Sequence, residues 1–166
     1  MRRGPVLAGA LAVVALAAAP AASAPTTTRV FIPGAELGGA RIGMTKAEIL
    51  RTWGRRHGVC SDCRRETWYF NEHPFQPQGT GVAFRKGRAI QLFTVWKPSG
   101  WKARQGLALG ADGGNVGATY GEVATTSCHG YDALVLRGKR ADSVFYVYSG
   151  DVWGFGLERP GVTPCL

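Results

Sequence analysis

A short segment occurs twice in this chain. Residues 42–54 read Ile-Gly-Met-Thr-Lys-Ala-Glu-Ile-Leu-Arg-Thr-Trp-Gly, and residues 109–121 read Leu-Gly-Ala-Asp-Gly-Gly-Asn-Val-Gly-Ala-Thr-Tyr-Gly. Aligned end to end, Gly43 matches Gly110, Thr52 matches Thr119 and Gly54 matches Gly121. Ile42, Ile49 and Trp53 meet Leu109, Val116 and Tyr120, and upstream Gly39 meets Gly106. A repeat this long points to a duplicated supersecondary unit. Each copy reads as a short helix. Thr45 and Asp112 stand at the N-cap, where a side-chain oxygen can accept from free backbone N–H groups, and Glu48 completes a capping box in the first copy. Ile49 and Trp53, like Val116 and Tyr120, are spaced to share one helix face. Gly54 and Gly121 end the helices. Gly113, Gly114 and Gly117 make the second helix the weaker, at about 1 kcal/mol per glycine relative to alanine.

Between and after these helices the sequence is rich in strand signals. Val30 to Ile32 reads as a short strand, and Glu66 to Asn71 as an aromatic, β-prone stretch. Gly81 to Arg85 and Arg88 to Trp96 form a hairpin across Lys86-Gly87. Tyr131 to Leu136, Asp142 to Tyr148 and Asp151 to Leu157 follow the second helix, with Ser149-Gly150 in the second hairpin. Gly154 and Gly156 lie inside the last strand, where glycine marks a bulge or a close approach. The expected class is α+β: two tandem units, each a short helix packed on about three antiparallel strands. The boundaries expected are a signal peptide at 1–24, an extended leader at 25–36, a first unit at 37–97 and a second at 98–166.

The leader assignment rests on Arg2 and Arg3, the apolar run Val6 to Ala19 and the small residues Ala22-Ser23-Ala24. Its apolar run is short for a membrane span, so a secreted, extracellular product without a transmembrane segment is expected. Loss of that leader removes two of the 20 Lys and Arg and none of the 11 acids, leaving 18 against 11, a net +7. The densest basic cluster is Arg51, Arg55, Arg56, His57, Arg64 and Arg65. It reads either as an attraction to an acidic surface or as a solvated face. No nucleic-acid motif accompanies the charge, so no nucleic-acid partner is expected. Four cysteines in an exported chain imply disulfides with three possible pairings. Cys60–Cys63, close in sequence, and Cys128–Cys165, which would tether the C-terminal end, are the pairing favoured.

With these patterns in view, the hydrophobic-Gly pairs (Ile42-Gly43, Leu109-Gly110), the caps (Thr45, Asp112) and the aromatic-Gly stops (Trp53-Gly54, Tyr120-Gly121) make the chain resemble the repeated unit of the secreted β-lactamase inhibitory proteins. It is similar also to the small outer-membrane assembly lipoproteins of the SmpA/BamE type. The resemblance implies helix-plus-sheet repeats, and binding rather than catalysis. The chain differs from the lipoproteins in lacking a lipidation cysteine, and from the inhibitors in its Cys60/Cys63 pair.

Several constellations carry possible chemistry. Cys60-Ser61-Asp62-Cys63 has the spacing of thiol oxidoreductases, yet it follows a helix-stopping glycine instead of opening a helix, which favours a structural disulfide. His57, Cys60, Cys63 and His73 offer zinc-ligand types at a spacing unusual for zinc. Ser127, His129 and Asp132 invite a triad reading without the Gly-x-Ser-x-Gly elbow. The junction Trp96-Lys97-Pro98-Ser99-Gly100-Trp101-Lys102 places two indoles around a turn. They read either as a binding surface, where tryptophan concentrates interface energy, or as filling between the units. Phe75 shares that ambiguity. The expectation is therefore a monomeric, non-catalytic binding or inhibitory module with no cofactor and no metal. Its partner would be a protein or an acidic cell-envelope component, met through Trp96, Trp101, Lys102, Phe75, Arg64 and Arg65. The alternative is a thiol–disulfide exchange protein working through Cys60 and Cys63.

Overall fold

The computed structural model describes residue 1 and residues 29–70, 79–96, 98 and 100–166. The expected signal peptide, and the candidates Phe75 and His73, lie outside the described residues.

Helix α1 (Lys46–Trp53) forms where the sequence carries a complete cap. Thr45 Oγ1 accepts from the Glu48 N–H at 3.3 Å, and Glu48 Oε2 accepts from the Thr45 N–H at 2.7 Å. The helix buries Ile49 and Trp53, and the Trp53 indole N–H donates to the Gly38 carbonyl at 2.9 Å. Gly54 ends it at φ +93°, a conformation that side chains resist. Helix α2 (Gly114–Tyr120) has a weaker start. Its cap position is Gly113, not the expected Asp112, and no side chain caps it; the Asp112 carboxylate instead accepts from the Gly114 N–H at 2.7 Å.

The strands are β1 (Val30–Ile32), β2 (Glu36–Leu37), β3 (Gly58–Val59), β4 (Thr67–Tyr69), β5 (Gly79–Arg85), β6 (Arg88–Val95), β7 (Lys102–Ala103), β8 (Ala124–Cys128), β9 (Tyr131–Leu136), β10 (Asp142–Tyr148) and β11 (Asp151–Glu158). Two tight turns organise the hairpins β5–β6 and β10–β11. Lys86 and Gly87 take φ +51° and +72°, and Ser149 and Gly150 take +50° and +88°. Positive φ at both central residues matches the right-handed strand twist.

The expectation of two tandem helix-on-sheet units is overturned. The molecule is mostly β, with 44% strand and 12% helix among the described residues. Eight strands form one antiparallel sheet in the order β3-β4-β5-β6-β11-β10-β9-β8. The central join is β6 against β11, with Gln91 opposite Glu158 and Thr94 opposite Phe155. The reason lies in those two strands. Both are buried along nearly their whole length. Had each closed a separate three-stranded sheet, an apolar strand would have been left at an open edge. Pairing them puts both at the centre. The junction segment is also more structured than a linker: β7 pairs in parallel with β1 in a small sheet of order β2-β1-β7.

One apolar cluster fills the space between the large sheet, the helices and the small sheet. Phe31 of β1, Ile49 of α1, Val116 of α2, and Phe145 and Phe155 of β10 and β11 meet there. Phe31 stacks on Phe155 at 5.0 Å and meets Phe145 edge-on at 5.5 Å. A second cluster is drawn entirely from the other face of the large sheet, from Phe93, Val95, Ala133, Val135, Val144, Tyr146 and Trp153. Among the described residues no helix is long and apolar enough to cross a membrane.

Candidate functional site

The second face ends in a group of aromatic rings. Register slips by one residue between Tyr146 and Val147 of β10 against Val152 and Gly154 of β11, leaving Trp153 as the extra residue. A bulge of this kind re-aims a side chain, and here Trp153 becomes a hub. Its ring lies 5.3 Å from Trp96, 5.5 Å from Tyr131 and 6.2 Å from Tyr148, each edge-on. Edge-to-face contact of this sort stabilises aromatic pairs by about 0.5–1.5 kcal/mol beyond burial. Trp96 is 55% exposed and Tyr148 52%. Trp96 also sits at φ +67°, a region that costs a non-glycine residue roughly 1 kcal/mol or more.

Behind this rim the face is lined by rings lying on glycines. Tyr146 covers Gly154 and Gly156, and a Cβ on Gly156 would come within 2.7 Å of the phenol oxygen. Phe93 covers Gly81 in the same way. The Trp153 indole N–H is buried without a hydrogen-bond partner among the described residues, and the buried Tyr146 hydroxyl lies against Gln91 and Glu158. Beside them Gln91 Nε2 donates to Glu158 Oε1 at 2.7 Å. Burial pushes the Glu158 carboxyl up to about 8, the Asp142 charge adds to the rise, and the Gln91 amide opposes it. Burial also holds the Tyr146 phenol well above its usual value, with the Glu158 carboxylate contributing. Asp142 is itself held by Arg137 at 2.7 Å and by the Gly138 N–H at 3.0 Å.

The candidates named from sequence are scattered by the fold. Trp96 belongs to the exposed aromatic rim. Trp101, 5% exposed, belongs to the first core cluster, so the two indoles of the junction serve different faces. Lys102 is an exposed residue of β7. Arg64 is exposed and Arg65 half-buried in the turn between β3 and β4. That turn is closed by Cys60–Cys63, while Cys128–Cys165 ties the end of β8 to the chain's last residues. With both sulfurs of the first pair in a disulfide, the zinc reading loses its thiolates; His57 stacks on Trp68 at 4.2 Å. Ser127 donates directly to Asp132 at 2.9 Å with no imidazole between, and His129 lies on the exposed turn after β8, so these three residues form no relay.

Sequence reasoning passed over Trp153, Tyr131 and Tyr148. The alternation Tyr146-Val147-Tyr148 did put two phenols on one strand face, but the bulge that adds Trp153 to them has no local signature beyond Gly154. Glu158 is missed because a carboxylate at a strand end reads as solvated.

No family model matches the sequence, and no curated protein matches it. Two solved structures are similar in shape. One is an extracellular protein containing a SCP domain from Bacillus anthracis str. Ames, with a TM-score of 0.51 at 11% identity, covering 72% of this chain and 44% of that one. The other is a DUF4309 family protein (YjgB) from Bacillus subtilis subsp. subtilis str. 168, with a TM-score of 0.48 at 17% identity, covering 69% of this chain and 78% of that one. This chain thus spans less than half the length of the first protein, and at that identity the likeness is one of fold alone.

Proposed function

We propose that this chain is a secreted, non-catalytic binding module that engages a protein or a cell-envelope component through the aromatic rim of its large sheet. The observation that carries this reading is Trp96. A large indole is held half in solvent, in a backbone conformation that disfavours it, against a buried Trp153 that also meets an exposed Tyr148. Exposed aromatic anchors backed by rigid packing are what interfaces use to concentrate energy. Secretion is supported by the leader-like first 24 residues, the two disulfides and the likeness in fold to an extracellular protein. The thiol-exchange alternative is less well supported, because Cys60 and Cys63 brace a hairpin turn and do not open a helix.

The experiment compares Trp96→Gly with the parent chain in capture of partners from the native extracellular fraction. Glycine accepts the left-handed φ without strain, which offsets part of the lost contact with Trp153, so the variant should stay folded with a melting temperature lowered by no more than a few degrees. Capture should fall by at least about tenfold, as expected for loss of an interface anchor worth more than ~1.4 kcal/mol. Undiminished capture would remove the rim from the proposal.

A further inference from the structure

The two edges of the large sheet are treated very differently. The β3 edge is two residues long, its turn is closed by Cys60–Cys63, and Arg55, Arg56, Arg64 and Arg65 flank it. Shortness and charge are how folded proteins keep a sheet edge from pairing with another chain. The β8 edge has neither. Ala124-Thr125-Thr126-Ser127-Cys128 pairs with β9 over five consecutive residues without a bulge, and it carries no charge and no proline. Ala124, Thr125 and Ser127 are exposed, and among the described residues nothing pairs with the outer side of β8.

We propose that this edge pairs with β8 of a second copy of the chain, antiparallel about a two-fold axis through Thr126. The segment is complementary to itself in that register. Thr126 meets Thr126 of the second copy, and Thr125 meets Ser127 in both directions. Hydroxyl-bearing pairs of this kind stabilise antiparallel strands, and a closed two-fold contact uses the same patch on both partners. In that register Glu122 comes opposite Gly130 of the second copy. The net charge, +9 for the whole chain and +7 without the first 24 residues, is the natural objection, since two copies should repel. The arginine-rich β3 edge, however, lies seven strand spacings from β8, roughly 33 Å at ~4.8 Å per spacing. Joining the copies at β8 therefore puts their most basic edges at opposite ends of the combined sheet. That separation is several times the Debye length of about 8 Å at physiological salt. A foreign peptide would have to supply its own complement to a segment that already complements itself.

Sedimentation equilibrium of the full, disulfide-bonded chain, from micromolar to near-millimolar concentration, tests this. A reversible dimer is expected, weak because five paired residues make a small contact. Thr126→Lys and Thr126→Asp should each raise the dissociation constant at least about tenfold by placing like charges face to face, and an equimolar mixture of the two should restore the dimer. Because Thr126 is half-buried, the exposed Thr125→Lys serves as a second variant, expected to weaken the dimer at unchanged melting temperature. A chain that stays monomeric throughout overturns the proposal, as does a Thr126→Lys protein that dimerises like the parent. So too does a monomer whose β8 takes up only foreign extended peptides.

Discussion

Glu158 is 1% exposed at the β6–β11 join, and its proton links stability to pH. Its carboxyl is raised from 4.5 to about 8 in the folded chain. Below the lower value both folded and unfolded chains hold the proton and the group contributes nothing. Between the two, the unfolded chain has released it and the folded chain has not, so stability falls as pH rises. The loss is complete above about pH 8 and is on the order of 3–5 kcal/mol. Urea midpoints measured from pH 5 to pH 8.5 should decline for the parent chain, and Glu158→Gln, which can still accept from Gln91, should flatten that decline. An unchanged slope would show that Glu158 titrates normally. At the same scale, Trp96 and Trp101 show where local reading stops. Five positions apart, with similar neighbours, they sit on opposite sides of the sheet because β7 joins β1 in a parallel pair, and nothing next to either tryptophan announces that pairing.

Among the elements, glycine marks two opposite situations. Gly117 of α2 has open space where a Cβ would be, so Gly117→Ala should raise stability by about 0.5–1 kcal/mol through helix propensity alone. Gly154 of β11 is different, since a Cβ there would collide with the Thr94 carbonyl. Gly154→Ala should cost about 1–3 kcal/mol as overpacking in a tight core. Thermal melts of the two variants, moving in opposite directions, would test both. The sequence made legible whatever is set by near neighbours. The Thr45/Glu48 capping box, the Lys86-Gly87 and Ser149-Gly150 turns and the strands Tyr131–Leu136 and Asp142–Tyr148 all lie where local chemistry puts them. Strands β3 and β8 carry no comparable local signal, because β3 is two residues long and β8 is polar. The aromatic rim stayed hidden for a related reason: a bulge depends on the partner strand as much as on its own.

For the whole molecule, the two disulfides carry unequal weight. Cys128–Cys165 spans 37 residues and Cys60–Cys63 spans 3, so the chain-entropy account assigns them about 4 and about 2 kcal/mol. Replacing Cys128 and Cys165 with serine should lower the denaturation midpoint well beyond the same change at Cys60 and Cys63, which should leave capture by the aromatic rim intact. Loss of capture in the second variant would revive the thiol-exchange alternative. The antiparallel pairing of strands as distant as β6 and β11 could not be read from local pattern, and it decided the architecture against two separate units. It also sets an order of events. Gln91 and Glu158 stand 67 positions apart, and contacts between such remote residues are slow to form because a long loop must close first. A chain emerging from its N-terminal end completes β6 well before β11 exists. For that interval the greasiest strand of the first half has one side bare, and sticky intermediates gather where such strands wait. On refolding β11 is present from the start but must still reach β6 across that long loop, so yield should fall as protein concentration rises.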